Sequence, residues 1–283
     1  MSNDTIARER EDFVSIRDNV GMNSSVRVVN TVFNRWPLVV ELVRRELKLR
    51  YRGTWLGFFW TLINPLVMTG VYTLVFSTFL RINIPKFPAF LLCGLFPWMM
   101  WFAEAITMGT NCLVDHAGFL KNAVFPAEIL PVVAVGTGMM NYTFSLPVLI
   151  ALLLVFGVPV RLNVCALPVV MAVQFLFALG IVYFTATYNV FFRDLRYIVQ
   201  HILMAASFLT PIMYDFSVVP VQFQWLLKLN PMTTVISAYR NIFFYGAWPN
   251  WRNLGLVAAL SVVLLVFSAW VFERNREIFA EYL

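Results

Sequence analysis

No Gly-Lys pair occurs anywhere in this chain, so it carries no G-x-x-x-x-G-K-[ST] loop to cradle a nucleotide phosphate. If ATP is spent on its behalf, another polypeptide binds it. Gly-x-Ser-x-Gly is absent too, which excludes the nucleophile elbow of a hydrolase, and no Asp-x-Asp pair offers the metal site of a glycosyltransferase. The three cysteines, Cys93, Cys112 and Cys165, all sit in apolar runs. They are too few for a disulfide framework or a zinc site and read as small core residues. Two histidines cannot build a metal centre alone. Charge is scarce: 13% of the 283 residues are Asp, Glu, Lys or Arg, against about 25% in a soluble domain. No repeat of 20–50 residues stands out, nor an inverted duplication of the two halves.

Apolar residues fill the place of the missing charge. Hydrophobic residues make up 60% of the chain and the mean hydropathy is +0.74. A soluble fold of this length could not cover so much apolar surface, so the sequence predicts an all-α integral membrane protein. A crossing helix needs ~20 mostly apolar residues. Six candidate spans meet this, at about 55–80, 89–112, 129–156, 165–191, 197–216 and 253–273. The first contains Asn64-Pro65, where proline should kink the helix and free a carbonyl. The third contains Pro147, and Gly136 and Gly138 that permit close helix approach. The fifth is the most polar, with Gln200, His201, Ser207 and Thr210, and should face a cavity or other helices.

Ahead of the spans, residues 1–30 carry both signs of charge, with no apolar core and no cleavage site. They read as a cytoplasmic tail and not as a signal peptide. Residues 37–52 follow as a basic amphipathic helix. Glu41, Arg44, Arg45, Lys48 and Arg52 share one face, with Val39, Leu42, Val43 and Leu47 on the other, so the helix should lie in the headgroup plane. With the N-terminus inside, 15 of the 21 Lys and Arg fall in inner segments. This predicts both termini in the cytoplasm. Residues 217–250 are too apolar for a solvated loop, and each helical piece is too short to cross. They suit outer re-entrant helices broken at Asn230-Pro231, with a loop lying flat on the membrane as the alternative.

Few side chains in the spans could do chemistry. Glu104 is the clear ionisable residue at lipid depth, either an ion site or a hydrogen-bonded side chain near the bundle interior; no partner charge in another span is evident. A membrane acyltransferase would need His116 or His201 beside a polar partner, and neither has an obvious one in sequence. Aromatics are 16% of the chain. They read as an interfacial belt or as a sugar-compatible pore lining, since sugar C–H faces rest on aromatic rings. The inner loop 115–131 mixes Phe119, Leu120, Val124 and Phe125 with Lys121 and Glu128. It reads as a short helix offered to a cytosolic partner, or as a plain connector.

Six runs in order carry a family resemblance: RRELKLRYRGTWLGFFWTLINPL (44–66), GLFPWMMWFAEA (94–105), FLKNAVFPAEILPV (119–132), NVFFRDLRYIV (189–199), TPIMY (210–214) and LNPMTTVISAYRNIFFYG (229–246). From about residue 35 onward the chain resembles the transmembrane permease of type-two ABC exporters, and within them the bacterial exporters of O-antigen, teichoic acid and related polysaccharides. The resemblance implies a homodimer of six-span permeases in the bacterial inner membrane, over 31–283. It implies two separate ATP-binding subunits that hold ATP and Mg, a lipid-linked polysaccharide substrate, and neither a catalytic site nor a bound cofactor, metal or nucleic acid in this chain. It places coupling to the ATPase on Phe119, Leu120, Lys121, Asn122, Phe125, Pro126 and Glu128, and the interfacial helix on Arg44, Arg45, Lys48 and Arg52. Candidate channel lining is Phe59, Trp60, Tyr72, Trp98, Trp101 and Phe102. The outer gate is Pro211, Tyr214, Asn230, Pro231 and Arg240. A drug- or lipid-exporting permease of the same plan is the alternative.

Overall fold

The computed structural model describes residues 24–51, 57, 59–81, 83–122 and 125–282, and every one of its elements is helical. Residues 1–23 of the expected tail, and Arg52, lie outside the described residues. Five helical stretches among those described are long and apolar enough to cross a membrane: Leu62–Phe79, Phe87–Asp115, Ile129–Val155, Leu162–Phe191 and Trp251–Ile278.

The elements run as follows. α1 (Ser24–Asn34) and α2 (Trp36–Tyr51) precede the spans. α3 (Phe59–Tyr72) continues as a π-helix over Thr73–Phe79. α4 (Phe87–Asp115) contains a π-helical turn at Trp98–Ala103. The short α5 (Ala117–Asn122) leads to α6 (Ile129–Val155), α7 (Leu167–Phe191) and α8 (Leu195–Leu209). α9 (Gln224–Leu229) and α10 (Pro231–Arg240) follow, the latter continuing as a π-helix to Tyr245. α11 (Trp251–Asn275) and α12 (Phe279–Tyr282) close the chain.

The bundle is built around α4. Pro97 lacks an N–H and its ring crowds the preceding turn, and the helix widens into a π turn directly after it. The Pro97 carbonyl accepts a hydrogen bond from Nε2 of the buried Gln174 on α7, at 3.1 Å. Lipid gives no hydrophobic drive between helices, so close packing has to hold them. Glycines make that possible. A Cβ on Gly109 would collide with Val182 of α7, and one on Gly138 of α6 would lie 3.0 Å from Trp101 Cδ1. Gly136, also expected to allow close approach, sits under Val43 of α2. Pro147 and Pro65 are both accommodated inside helices, and Thr69 Oγ1 donates to the Pro65 carbonyl at 2.7 Å.

Both described ends of the chain meet at one end of the bundle. Arg27 of α1 pairs with Glu273 of α11 at 3.5 Å, α12 touches α5, and Phe191 at the end of α7 packs on Tyr282. The 25 residues of α11 reach the opposite end at Asn250, about 37 Å away. Where a span over 197–216 was expected, α8 has only 15 residues, short of the length of a full crossing.

The segment before α11 breaks at Asn230, as its sequence suggests. The Asn230 side chain caps α10 by accepting from Met232 N at 3.0 Å. α10 then runs beside α4. Tyr239 meets Tyr142 edge to face with centroids 5.6 Å apart. Ile236 lies beside Gly94 and Arg240 over the ring of Phe90, so α10 runs antiparallel to α4, towards the far end.

Candidate functional site

At the end where the termini meet, α5 and its flanks are held from both sides. On the entry side, His116 closes α4: its Nδ1 lies 2.9 Å from the Cys112 carbonyl and its Nε2 lies 3.4 Å from Glu46 of α2. On the exit side, Glu128 is buried and pairs with Arg276 at 2.6 Å, while Tyr183 donates to its backbone carbonyl at 2.7 Å. Arg276 also approaches Glu273, so the exit is tied to α11. Of the expected coupling residues, Leu120 and Phe125 are half-buried against the core and Pro126 is half-buried. The side chains of Phe119, Lys121 and Asn122 lie outside the described residues.

α2 packs on α6 through Val39, Leu42 and Val43, and leaves Arg44, Arg45 and Lys48 on its exposed side. Arg44 stands at an apolar cleft of about 800 Å³ between α2, α6 and α7. The unexpected contact is deeper. Arg50 forms an ion pair with Glu104 of α4, and Asn141 Nδ2 of α6 donates to the same carboxylate oxygen at 3.1 Å. Arg50 Nη2 also lies 3.1 Å from Met108 Sδ. Among the described residues no other span supplies a partner charge for Glu104; its cation comes from α2, ahead of the spans. A sequence signal existed. At 100° per residue, Arg50 falls 180° from Glu41, in the middle of the apolar face. A lone cation there needs a carboxylate inside the bundle.

A groove of about 300 Å³ runs between Tyr72 of α3, α4, α8 and the turn at Ile212 and Met213. Tyr72 and Trp98 line it, together with Thr107, Gln200, Ser207 and Met213. The other expected lining residues are placed elsewhere in the protomer. Trp101 is fully buried and stacks on Tyr142 at 5.8 Å, and Phe102 stacks on Phe177. Phe59 and Trp60 are exposed at the start of α3.

At the far end, four of the five expected gate residues form one joint. Asn230 Nδ2 donates to Thr210 Oγ1 at 2.9 Å, and the Tyr214 hydroxyl donates to the Phe208 carbonyl at 2.9 Å. Arg240 is only 3% exposed. Its Nη2 donates to the Ile212 carbonyl at 2.9 Å, and its guanidinium lies 3.6 Å over the ring of Phe90. Pro211 is buried inside this turn, while Pro231 lines a separate groove. Just beyond, the Asp215 carboxyl sits below the ordinary carboxylate range. Burial opposes its charge, but the Ser217 N–H and hydroxyl and the Tyr245 hydroxyl all donate to it. Among the described residues no group of three His, Cys, Asp or Glu side chains comes together as metal ligands would.

Comparison with known proteins bears on this arrangement. Residues 37–244 match the profile of the ABC-2 type transporter family. The O-antigen export system permease protein RfbA of Myxococcus xanthus is 39% identical over 258 residues, 90% of this chain and 99% of that protein. A Klebsiella pneumoniae protein of the same name is 31% identical over 247 residues, covering 87% and 95%. The polysialic acid transport protein KpsM of Escherichia coli is 22% identical over 246 residues, covering 84% and 93%.

Proposed function

The chain belongs to the ABC-2 type transporter family, and from that footing we propose that it is the permease subunit of an ATP-driven exporter of a lipid-linked polysaccharide such as O-antigen. One observation carries the reading: the alignment with the Myxococcus O-antigen permease runs over 99% of that protein at 39% identity. The likeness runs the length of that protein and is not confined to one motif.

The geometry suits the task. A polymer longer than the bilayer is thick cannot be enclosed, so it needs a continuous path. The groove between α3, α4 and α8 offers Tyr72 and Trp98 beside Thr107, Gln200 and Ser207. Aromatic faces with scattered hydrogen-bonding groups let sugar units slide. One protomer supplies half a wall, and a second copy facing it closes the conduit. Two ATP-binding subunits, which hold ATP and Mg, sit against the α5 end in the cytoplasm. Their closure pushes α5, and the pins at His116–Glu46 and Glu128–Arg276 pass that push to α2 and α11. The site is in the bacterial inner membrane, and the substrate rides on an undecaprenyl-type pyrophosphate.

The test is export in cells. Deleting the ATP-binding partner abolishes surface polymer while this chain still inserts in the membrane. Polymer export that persists without the partner sinks the reading. Phe125→Ala or Pro126→Ala impairs ATP-linked export with self-association intact; normal export from both variants removes the coupling assignment.

A further inference from the structure

Hydroxyl groups in the long helices are mostly satisfied locally. Thr69, Thr107, Thr137, Thr187 and Ser261 each donate to the carbonyl four residues earlier, at 2.7–2.8 Å. α10 departs from this habit. Thr233, Thr234 and Ser237 border α11, and none of their hydroxyls has a hydrogen-bond partner among the described residues. Thr233 is 6% exposed, so its hydroxyl is withdrawn from bulk solvent. A buried hydroxyl without a partner is costly, and costlier still beside lipid. These three side chains line a groove of about 520 Å³ between α10 and α11, well inside the size range of ligand sites.

The chemistry of the groove selects its occupant. No Asp or Glu lines it. Its one charge is the Lys228 ammonium, and three hydroxyls and the Asn241, Asn250 and Asn253 amides add groups that donate or accept. Its lower wall is Leu256 and Leu260, 65% and 49% exposed on a membrane-spanning helix. An acceptor-rich anion with a hydrocarbon tail satisfies both halves. A neutral saccharide leaves the leucine wall and the ammonium unused. We propose that this groove binds a glycerophospholipid from the leaflet opposite the α5 end. Its phosphate sits near Lys228, its ester carbonyls accept from the Thr233, Thr234 and Ser237 hydroxyls, and one chain lies along Leu256 and Leu260. The site is separate from the groove of the proposed conduit and does not depend on what the conduit carries.

The experiment is photolabelling of the full chain in vesicles of phosphatidylethanolamine and phosphatidylglycerol. The probe is phosphatidylglycerol with a diazirine in one acyl chain. Label concentrates on the peptide holding Leu256 and Leu260 and falls about tenfold in a Thr234→Val, Ser237→Ala double variant, the loss expected for two hydrogen bonds to neutral carbonyls. Equal labelling of variant and parent overturns the proposal. A second measurement needs no variant. In the unsubstituted chain, unlabelled phosphatidylglycerol displaces the probe far better than a diacylglycerol of the same tails. Equal displacement by the two overturns the phosphate assignment. Capture of Ser237→Cys as a disulfide between two copies overturns it as well, because a second protomer would then occupy the groove.

Discussion

α3 and α4 are nearly equal in hydropathy and adjacent in sequence, yet 17% of one apolar stretch is buried within the protomer and 83% of the other. The same composition therefore serves two purposes. α4 packs against α6, α7, α8 and α10 and organises the protomer. α3 shows Val67, Val71, Leu74 and Phe79 to its surroundings. Lipid accepts such a face, and so does a second copy. Apolarity selects the membrane, while small residues and polar pairs select the neighbour.

The contrast can be broken most severely at glycine. Gly109→Leu on α4 drives a side chain into Val182 and is expected to eliminate folded protein, read as loss of the monodisperse species on size exclusion. A folded Gly109→Leu protein would remove α4 from the centre of the bundle. Next comes the ion pair that anchors α2 to α4. Glu104→Gln strands Arg50 and should cost about 3–5 kcal/mol in reversible unfolding, with an Arg50→Met, Glu104→Met double variant recovering much of it. A double variant as unstable as the single would show that the pair is not what joins them. At the far end, Arg240→Gln loses the Phe90 contact and the bond to the Ile212 carbonyl, for about 2–4 kcal/mol in the same unfolding measurement.

α3 supplies the counter-test. Gly70 has open space around its Cβ position, so Gly70→Leu should change protomer stability by no more than about 0.5 kcal/mol. Any effect belongs to self-association, read by crosslinking. The smallest expected effect is acid. The lowered Asp215 carboxyl contributes stability that is present above the ordinary carboxylate range and lost as pH falls through its depressed value. Acid should therefore loosen the joint with α10 before the α4 core, seen as earlier hydrogen exchange in residues 212–217. Simultaneous loosening of both regions would remove the distinction.

Much of this was legible beforehand, and the gaps have physical reasons. The helix break at Asn230-Pro231 is written in local chemistry, because an asparagine cap and a proline at the first helical position act within a few residues. The short, polar fifth segment showed its character in Gln200 and Ser207, which line the groove. Aromatic residues were harder. Trp98 and Trp101 lie three positions apart in one run, yet one lines the groove and the other is sealed against Tyr142. The intervening π turn alters the angular spacing that a regular helix would give. Glu104 looked partnerless because its cation lies 54 positions earlier, on a helix expected to remain at the surface.

Composition and hydropathy alone determined that this chain is an all-helical membrane protein, and local chemistry marked the helix break at Asn230-Pro231. These follow from transfer free energies and local backbone chemistry, which need no knowledge of neighbours. Only the tertiary structure decided which apolar face is core and which is left for lipid or a second copy. It also decided that Arg50 reaches Glu104, that Arg240 holds the turn at Ile212, and that the Thr233–Ser237 hydroxyls face a groove. In a bilayer every apolar face is equally at home, so partner choice rests on shape and on hydrogen bonds between residues far apart in the chain.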